Sequence, residues 1–460
     1  MAASKHSLTK GKDNIAGSGA VDLFVGPLKN GVSTLTDVDV LNGRGGFDTL
    51  RAGFAVEDLT LHAKNIEKGI FTRKNVVDCD LDLAEAKAMS QLVFNNFHNL
   101  VVSNSGFVTS ITLLKTDEAE VNFNDIDSDA HKSIALSVIN SAGPTVSFYA
   151  QTGSLLDRLE VTLKDASVNL NGEAIADTVI IHSNGVDNGL YFEQDDIDAK
   201  VRKIVIDGAG YLDFGRMSGL PDLVSIDASK ARGNMTTTLE GGSFLNYRGS
   251  RGVDDLSVTD LAGSVGHNAL LNLGKGHDAV DGRGFAFDGA LHHINGGSGS
   301  DYLQIQGGIS NSSGFMESVE TLVLTVATGS YHLIDSGVRH IIFGNAATGA
   351  TIFDGLNSGV KLDFSQSQSI GIMLTLANAA ASKTDMLHVG LTAGETTEGS
   401  AVTLGSFTTG LSAPGLSNLE IESSSQGFSG SNLIMLGSVG DANNPVSITF
   451  TGGHHLLVGA

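Results

Sequence analysis

Short apolar runs return roughly every ten positions between about Leu155 and Phe450, and that spacing constrains the fold more than any other feature of the chain. Examples are the runs at 159–163, 179–181, 204–206, 223–226, 256–258, 322–324, 341–343, 362–364 and 373–376. Gly, Asn, Asp and Ser cluster between them, so each run reads as a strand and each gap as a turn. Even spacing over hundreds of residues favours stacked coils over a closed sandwich. The expectation is an all-β, elongated, right-handed parallel β-solenoid of the β-helix or β-roll kind, with Gly/Asp-rich turns and about 20 residues per coil. One segment departs from the pattern: residues 81–92 are rich in Ala, Glu and Leu, which suits a helix or an irregular coil turn.

Glycine accounts for 58 of the 460 residues, against an ordinary share of about 7%. The formal charge of −23 excludes a phosphate-neutralising role and hence nucleic acid as a partner. Cys79 is the only cysteine, so no intrachain disulfide forms and stability rests on packing and backbone ladders, with metal as a further candidate source. No run approaches the ~18 apolar residues of a membrane span. The first ten residues lack the apolar core of a Sec-type signal. Beyond Lys383 the chain has no Lys or Arg, and it ends near an apolar Leu456-Leu457-Val458. That tail reads either as an uncleaved secretion signal or as a neutral last stretch of solenoid.

Within this frame residues 296–304, Gly-Gly-Ser-Gly-Ser-Asp-Tyr-Leu-Gln, match a Gly-Gly-x-Gly-x-Asp-x-apolar-x nonapeptide at every fixed position. Glycines permit positive φ and let carbonyls turn inward. The aspartate adds a hard oxygen, which suits Ca²⁺. Related segments recur. Gly43-Arg44-Gly45-Gly46-Phe47-Asp48 precedes Glu67, and Asp301 precedes Glu320; both Asp-to-Glu separations are 19 residues. A degraded copy is Asp385-Met386-Leu387 with Glu420 after an insertion.

The opening segment carries Asp13 and Asp22 one nonapeptide period apart, followed by Asp37 to Leu50. With the nonapeptide at Asp301 and the stretch from Leu220 to Leu256, it resembles the RTX-type β-repeat region of bacterial surface-layer proteins and related type I-secreted adhesins. The resemblance implies an extracellular, Ca²⁺-dependent protein that reaches the cell surface without an N-terminal signal and self-assembles into a lattice or filament. It also implies metal positions where the motif stands: Asp301 with Gly296 and Ser298, Asp48 with Gly43, and Asp278, Asp254, Asp13 and Asp22. Three segments are expected: 1–150 with a possible surface-anchoring face, 151–370 with the central calcium turns, and 371–460 as a C-terminal solenoid, cap or secretion signal.

Other constellations are weaker. Asp125-Ile126-Asp127-Ser128-Asp129 opens like an EF-hand loop, but Ala130 replaces the required glycine. His292-His293 and His454-His455 lack a third ligand. Asp195, Asp196 and Asp198 form the best carboxylate cluster for acid–base work, yet no partner motif accompanies them, so catalysis is not expected. Lys64, Lys68, Arg73 and Lys74 form a basic cluster that suits an outer-membrane polysaccharide or an ordinary solvated face. Cys79 reads as a small buried apolar residue. The leading expectation is a structural surface-layer or filament subunit. A calcium-binding adhesin or exopolysaccharide-binding matrix protein comes second, and a polysaccharide-active enzyme third.

Overall fold

A computed structural model describes residues 4–73, 78–126, 133–150, 156–171, 176–192, 201–217, 220, 222–240, 246–259, 269–309, 315–345, 349–366, 371–376, 385–393, 403–404, 411–414, 416–425, 431–439 and 446–459. The chain divides into two compact units, Met1–Thr237 and Thr238–Ala460. Among the described residues each unit is all-β, and its strands pair in parallel, one coil on the next, as a β-solenoid. No described helix is long and apolar enough to cross a membrane.

In the first unit one wall runs from Ser4–Ser7 through Asp22–Gly26, Thr49–Phe54, Lys68–Arg73 and Gln91–Asn95 to Lys203–Gly208 and Ser225–Ala231. A second wall runs from Asp58–Thr60 and Cys79–Asp82 to Ser167–Asn171, Asp187–Phe192 and Tyr211–Arg216. The strands Asn14–Ala16, Val40–Asn42 and Ala63–Lys64 form a short third one. Strand alternation explains the core: Arg158–Lys164 buries Leu159, Val161 and Leu163 and turns the residues between them outward. Parallel in-register pairing then stacks like on like. Phe71 lies over Phe94 at 5.7 Å, and Phe123 over Phe148 at 5.7 Å. Such pairs add about 0.5–1.5 kcal/mol each beyond their burial.

Coil length varies around the expected twenty. Gln91 pairs with Ser110, and Ser110 with Ala135. Corners absorb the difference, and several hold asparagine at positive φ: Asn96 at 62°, Asn104 at 55° and Asn140 at 49°. Asparagine tolerates that conformation better than most residues.

In the second unit one wall comprises Asn246–Arg248, Ala269–Asn272, His292–Asn295 and Met316–Glu317. A long wall runs from Asp254–Val258, Ala279–Gly282, Tyr302–Gln306 and Thr321–Val326 to Asn418–Ser425 and Ser447–Thr451. A third holds Gly329–His332, Thr351–Leu356, Ile372–Leu376, Leu411–Ala413, Asn432–Val439 and Leu456–Gly459. Phe343 stacks on Phe364 at 4.2 Å, and Tyr331 on Phe353 at 5.1 Å.

Residues 81–92 are not a helix. Strand Cys79–Asp82 gives way to two successive tight turns, with Ala86 N–H donating to Leu83 O and Met89 N–H to Ala86 O, before strand Gln91–Asn95. Leu83, Ala86 and Met89 are all buried. Their three-residue spacing serves the corner of a coil, and core packing there overrides helix propensity.

Candidate functional site

The motif aspartates stack into two buried ladders, one in each unit. In the second unit Asp254, Asp278, Asp301 and Glu320 occupy equivalent corners of four successive coils. The N–H of Asp254 donates to Asp278 Oδ1 at 2.8 Å, that of Asp278 to Asp301 Oδ1 at 2.9 Å, and that of Asp301 to Glu320 Oε2 at 2.8 Å. In the first unit the N–H of Asp22 donates to Asp48 Oδ1 at 2.7 Å, and that of Asp48 to Glu67 Oε2 at 2.7 Å. From the second rung onward, each carboxylate thus closes a backbone donor one coil away. The 19-residue Asp-to-Glu repeat is the length of the coil that joins the two residues.

Both ladders begin and end alike. The first rung is satisfied by a serine four residues earlier. Ser18 N–H and hydroxyl donate to Asp22 at 2.6 and 2.9 Å, and those of Ser250 to Asp254 at 2.7 Å each. Glutamate forms the last rung. Between them Asp48, Asp278 and Asp301 each keep a second oxygen, Oδ2, that is buried with no hydrogen-bond partner.

Glycine makes room for these oxygens. A β-carbon at Gly43 would lie 2.1 Å from Asp48 Oδ2 and 2.0 Å from the Asn65 carbonyl oxygen. One at Gly296 would lie 2.7 Å from Asp301 Oδ2 and 2.0 Å from the Ser318 carbonyl oxygen. Asn65 and Ser318 both have φ of 52°. At each corner, therefore, two acceptors share the space beside a glycine α-carbon.

Electrostatics follows from this crowding. Burial, reinforced by neighbouring Asp254 and Asp301, pushes the Asp278 carboxyl up to about 8, and burial pushes Asp254 to about 6. Burial also raises Asp48 and Asp301. Asp22 goes the other way. Burial opposes its charge, but the Ser18 bonds and His6, at 3.2 Å, outweigh that and lower it. A carboxylate oxygen buried without a partner is costly to leave charged, so a proton or a hard cation would stabilise the unpartnered Oδ2 of each middle rung. The donor set, a carboxylate oxygen beside a backbone carbonyl, fits Ca²⁺. Among the described residues no three His, Cys, Asp or Glu side chains converge on one point; a cation here would take most of its oxygens from the backbone and solvent.

The remaining candidates are placed as follows. Asp13 belongs to a separate outer corner, where its N–H donates to Asp39 Oδ1 at 2.7 Å and its carboxylate accepts the Thr9 N–H at 2.6 Å. Ser298 is exposed in the two-residue strand Ser298–Gly299, paired with Lys275–Gly276. Asp385 is buried like the ladder aspartates, and its carbonyl accepts the Asn418 N–H, as the Asp301 carbonyl accepts that of Thr321. Asp127, Asp129, Lys74, Asp195, Asp196 and Asp198 lie outside the described residues. His292 faces inward against Phe285 and Phe287 and His293 outward, so the pair cannot chelate one ion.

The basic cluster is divided between faces. Lys68 points outward, whereas Arg73 is buried, donates to Asp78 O at 2.9 Å and lies 5.7 Å from the Phe97 ring centre. Cys79 is buried, and burial pushes its thiol up to about 12, which suits an inert core residue. Glu67 and Glu320 were visible in the sequence as repeat members; their role as terminal rungs appears only when the coils are stacked.

No protein-family model matches the chain, and no curated protein matches it in sequence.

Proposed function

We propose that the chain is a structural, self-associating surface protein, a surface-layer or extracellular filament subunit, whose coil corners are pinned by Ca²⁺. The observation that carries the reading is the unpartnered, buried Oδ2 of Asp48, Asp278 and Asp301, set at glycine-lined corners beside carbonyl oxygens at Asp48 and Asp301. Asp48 with the Asn65 carbonyl, and Asp301 with the Ser318 carbonyl, are the groups that would hold the ion. Bound there, Ca²⁺ supplies positive charge between acceptors that otherwise repel, and so ties one coil to the next. Asp254 and Asp22, already bonded to serine, set the start of each ladder.

Self-association is supported by the exposed apolar residues Phe450, Leu457 and Val458 on the strands Ser447–Thr451 and Leu456–Gly459. Strand edges carrying apolar side chains recruit further strands. The reading places the chain outside the cell, at the cell surface, where a calcium-dependent scaffold meets its ion. The test is electron microscopy and light scattering of the purified chain with millimolar Ca²⁺ and then with a chelator. Ordered sheets or filaments that dissolve on chelation are expected. A monodisperse monomer in millimolar Ca²⁺ overturns assembly, and an unchanged melting temperature on chelation overturns the calcium corners.

A further inference from the structure

A polar groove of about 580 Å³ crosses the second wall of the first unit, and neither ladder contributes a residue to it. It passes over four successive coils: Ser141 and Ala142, then Asp165 and Ser167, then Asp187, Gly189 and Tyr191, then Tyr211 and Asp213. The register places Ser167 beside Gly189 and Gly189 beside Asp213, with Asp187 beside Tyr211. Coils repeat at about 4.8 Å, so the groove offers a like-spaced row of polar groups along its length.

Its centre is the Tyr191 ring. Leu190 and Phe192 point into the core, so Tyr191 points out. Its outward neighbours are glycines. A β-carbon at Gly189 would lie 2.8 Å from the ring Cε2, and one at Gly215 2.6 Å from Cδ1. The ring can therefore lie down across the sheet over two residues that have no side chain. The Tyr191 hydroxyl donates to Asp213 Oδ2 at 2.8 Å, which pins the ring in that pose. The Tyr211 hydroxyl donates to Thr236 Oγ1 at 3.1 Å. Burial, with Asp213 and then Asp187 beside it, holds the Tyr191 phenol well above its usual value, so it stays a neutral ring.

The floor is rigid. Asn188, buried beneath, accepts from Ala166 N–H at 3.2 Å and donates to Ser183 Oγ and Asn184 O at 2.9 Å each. Asp165 Oδ1 accepts the Val186 N–H at 2.8 Å. Asp187 is exposed, and no described residue bonds its carboxylate. Among the described residues no Lys or Arg lines the groove.

We propose that this groove binds an extended saccharide chain, neutral or amino-substituted, with one sugar face on Tyr191 and its hydroxyls on Asp187, Asp165 and Asp213. A flat ring laid on a glycine floor fits the apolar face of a pyranose. Carboxylates accept well from the hydroxyls around it, and charge-assisted bonds of this kind are the stronger ones. Three aspartates, with no Lys or Arg among the described lining residues, repel uronates and phosphates, so the surface favours neutral or amino sugars over anionic ones. The site does not depend on assembly or on calcium at the ladders.

The test is a glycan array bearing neutral, amino and uronic oligosaccharides, probed with the fluorescently labelled full chain in chelator, with an oligolysine peptide as a control ligand. Binding to neutral or amino oligosaccharides, and not to uronic ones, is expected. Tyr191→Ala should weaken it at least tenfold. Asp187→Ala, at an exposed position, should weaken it severalfold with an unchanged melting temperature, and so keeps the test decisive should Tyr191→Ala fail to fold. Absence of any neutral or amino saccharide signal overturns the proposal. So does equal binding by Asp187→Ala and the parent, or a preference for oligolysine that Tyr191→Ala leaves intact.

Discussion

Asp278→Asn should stabilise the metal-free protein at neutral pH, although it removes an aspartate from the calcium motif. The Asp278 carboxyl rises from an ordinary 3.8 to about 8 because it is buried in a file of carboxyls. Unfolded, it ionises near 4; folded, it holds its proton until near 8. The native state therefore binds more protons than the unfolded state across that interval, and stability falls as pH rises through it. One pKa unit is about 1.36 kcal/mol, so at a pH near 7 the full penalty would be about 4 kcal/mol. Asp254 and Asp301 share the same field, and about half of that, ~2 kcal/mol, is the share removed by changing one rung.

Asparagine keeps the Oδ1 that accepts the Asp254 N–H and brings no charge. A gain of ~2 kcal/mol corresponds to about 4–8 °C in a unit of this size. Thermal unfolding by far-UV circular dichroism, in chelator, reads it directly. The gain should shrink to less than about 1 kcal/mol near pH 5, where the parent ladder is protonated at little cost. A variant less stable than the parent at neutral pH in chelator would refute the reasoning, because it would mean that Asp278 is ionised and satisfied in the native state.

Three further outcomes can be checked in the same assay. Gly296→Ala places a β-carbon 2.0 Å from the Ser318 carbonyl oxygen and should cost more than about 2 kcal/mol, whereas Gly284→Ala meets nothing within 4 Å and should be close to neutral. His182 bridges Glu160 at 2.8 Å and Asp207 at 2.5 Å; burial lowers its basicity, but the two carboxylates outweigh that and raise it. Its stabilisation is present below the ordinary histidine range and lost as pH rises through the raised value, so His182→Gln should flatten stability between about pH 5 and 8. Phe94→Ala opens the stack between Phe71 and Phe97 and should cost about 3–5 kcal/mol.

Much of the architecture is legible without coordinates because it is periodic. The runs at 159–163, 179–181 and 204–206 lie inside Arg158–Lys164, Thr178–Asn184 and Lys203–Gly208, three parallel neighbours in one wall. Alternation along each strand is a local property, and stacking repeats it coil by coil. The segment at 81–92 leaves a helix and a coil turn both open for the same local reason: Ala, Glu and Leu favour a helix in isolation, and only the coils above and below it select two tight turns. Arg73 is a further case. Its neighbours in sequence suggest a surface cluster, but strand parity turns it into the core beside Phe97.

The site divides along the same line. Composition and motif identify the aspartates, the glycines that flank them and even the 19-residue step to Glu67 and Glu320, because those are patterns along one chain. What each carboxylate does is a matter between coils. Asp48, Asp278 and Asp301 each give one oxygen to a backbone N–H and leave the other buried beside a glycine corner or its equivalent only because corners some twenty residues apart are superposed. The Tyr191 groove is wholly of this second kind. Tyr191, Gly215 and Asp213 are unremarkable in sequence, and a flat aromatic surface appears only when one coil lays its ring over the bare backbone of the next. Periodicity along the chain determined the solenoid, since burial of alternate residues is decided strand by strand. Register between coils decided the chemistry, since a buried charge or an exposed ring is defined by what lies one coil away.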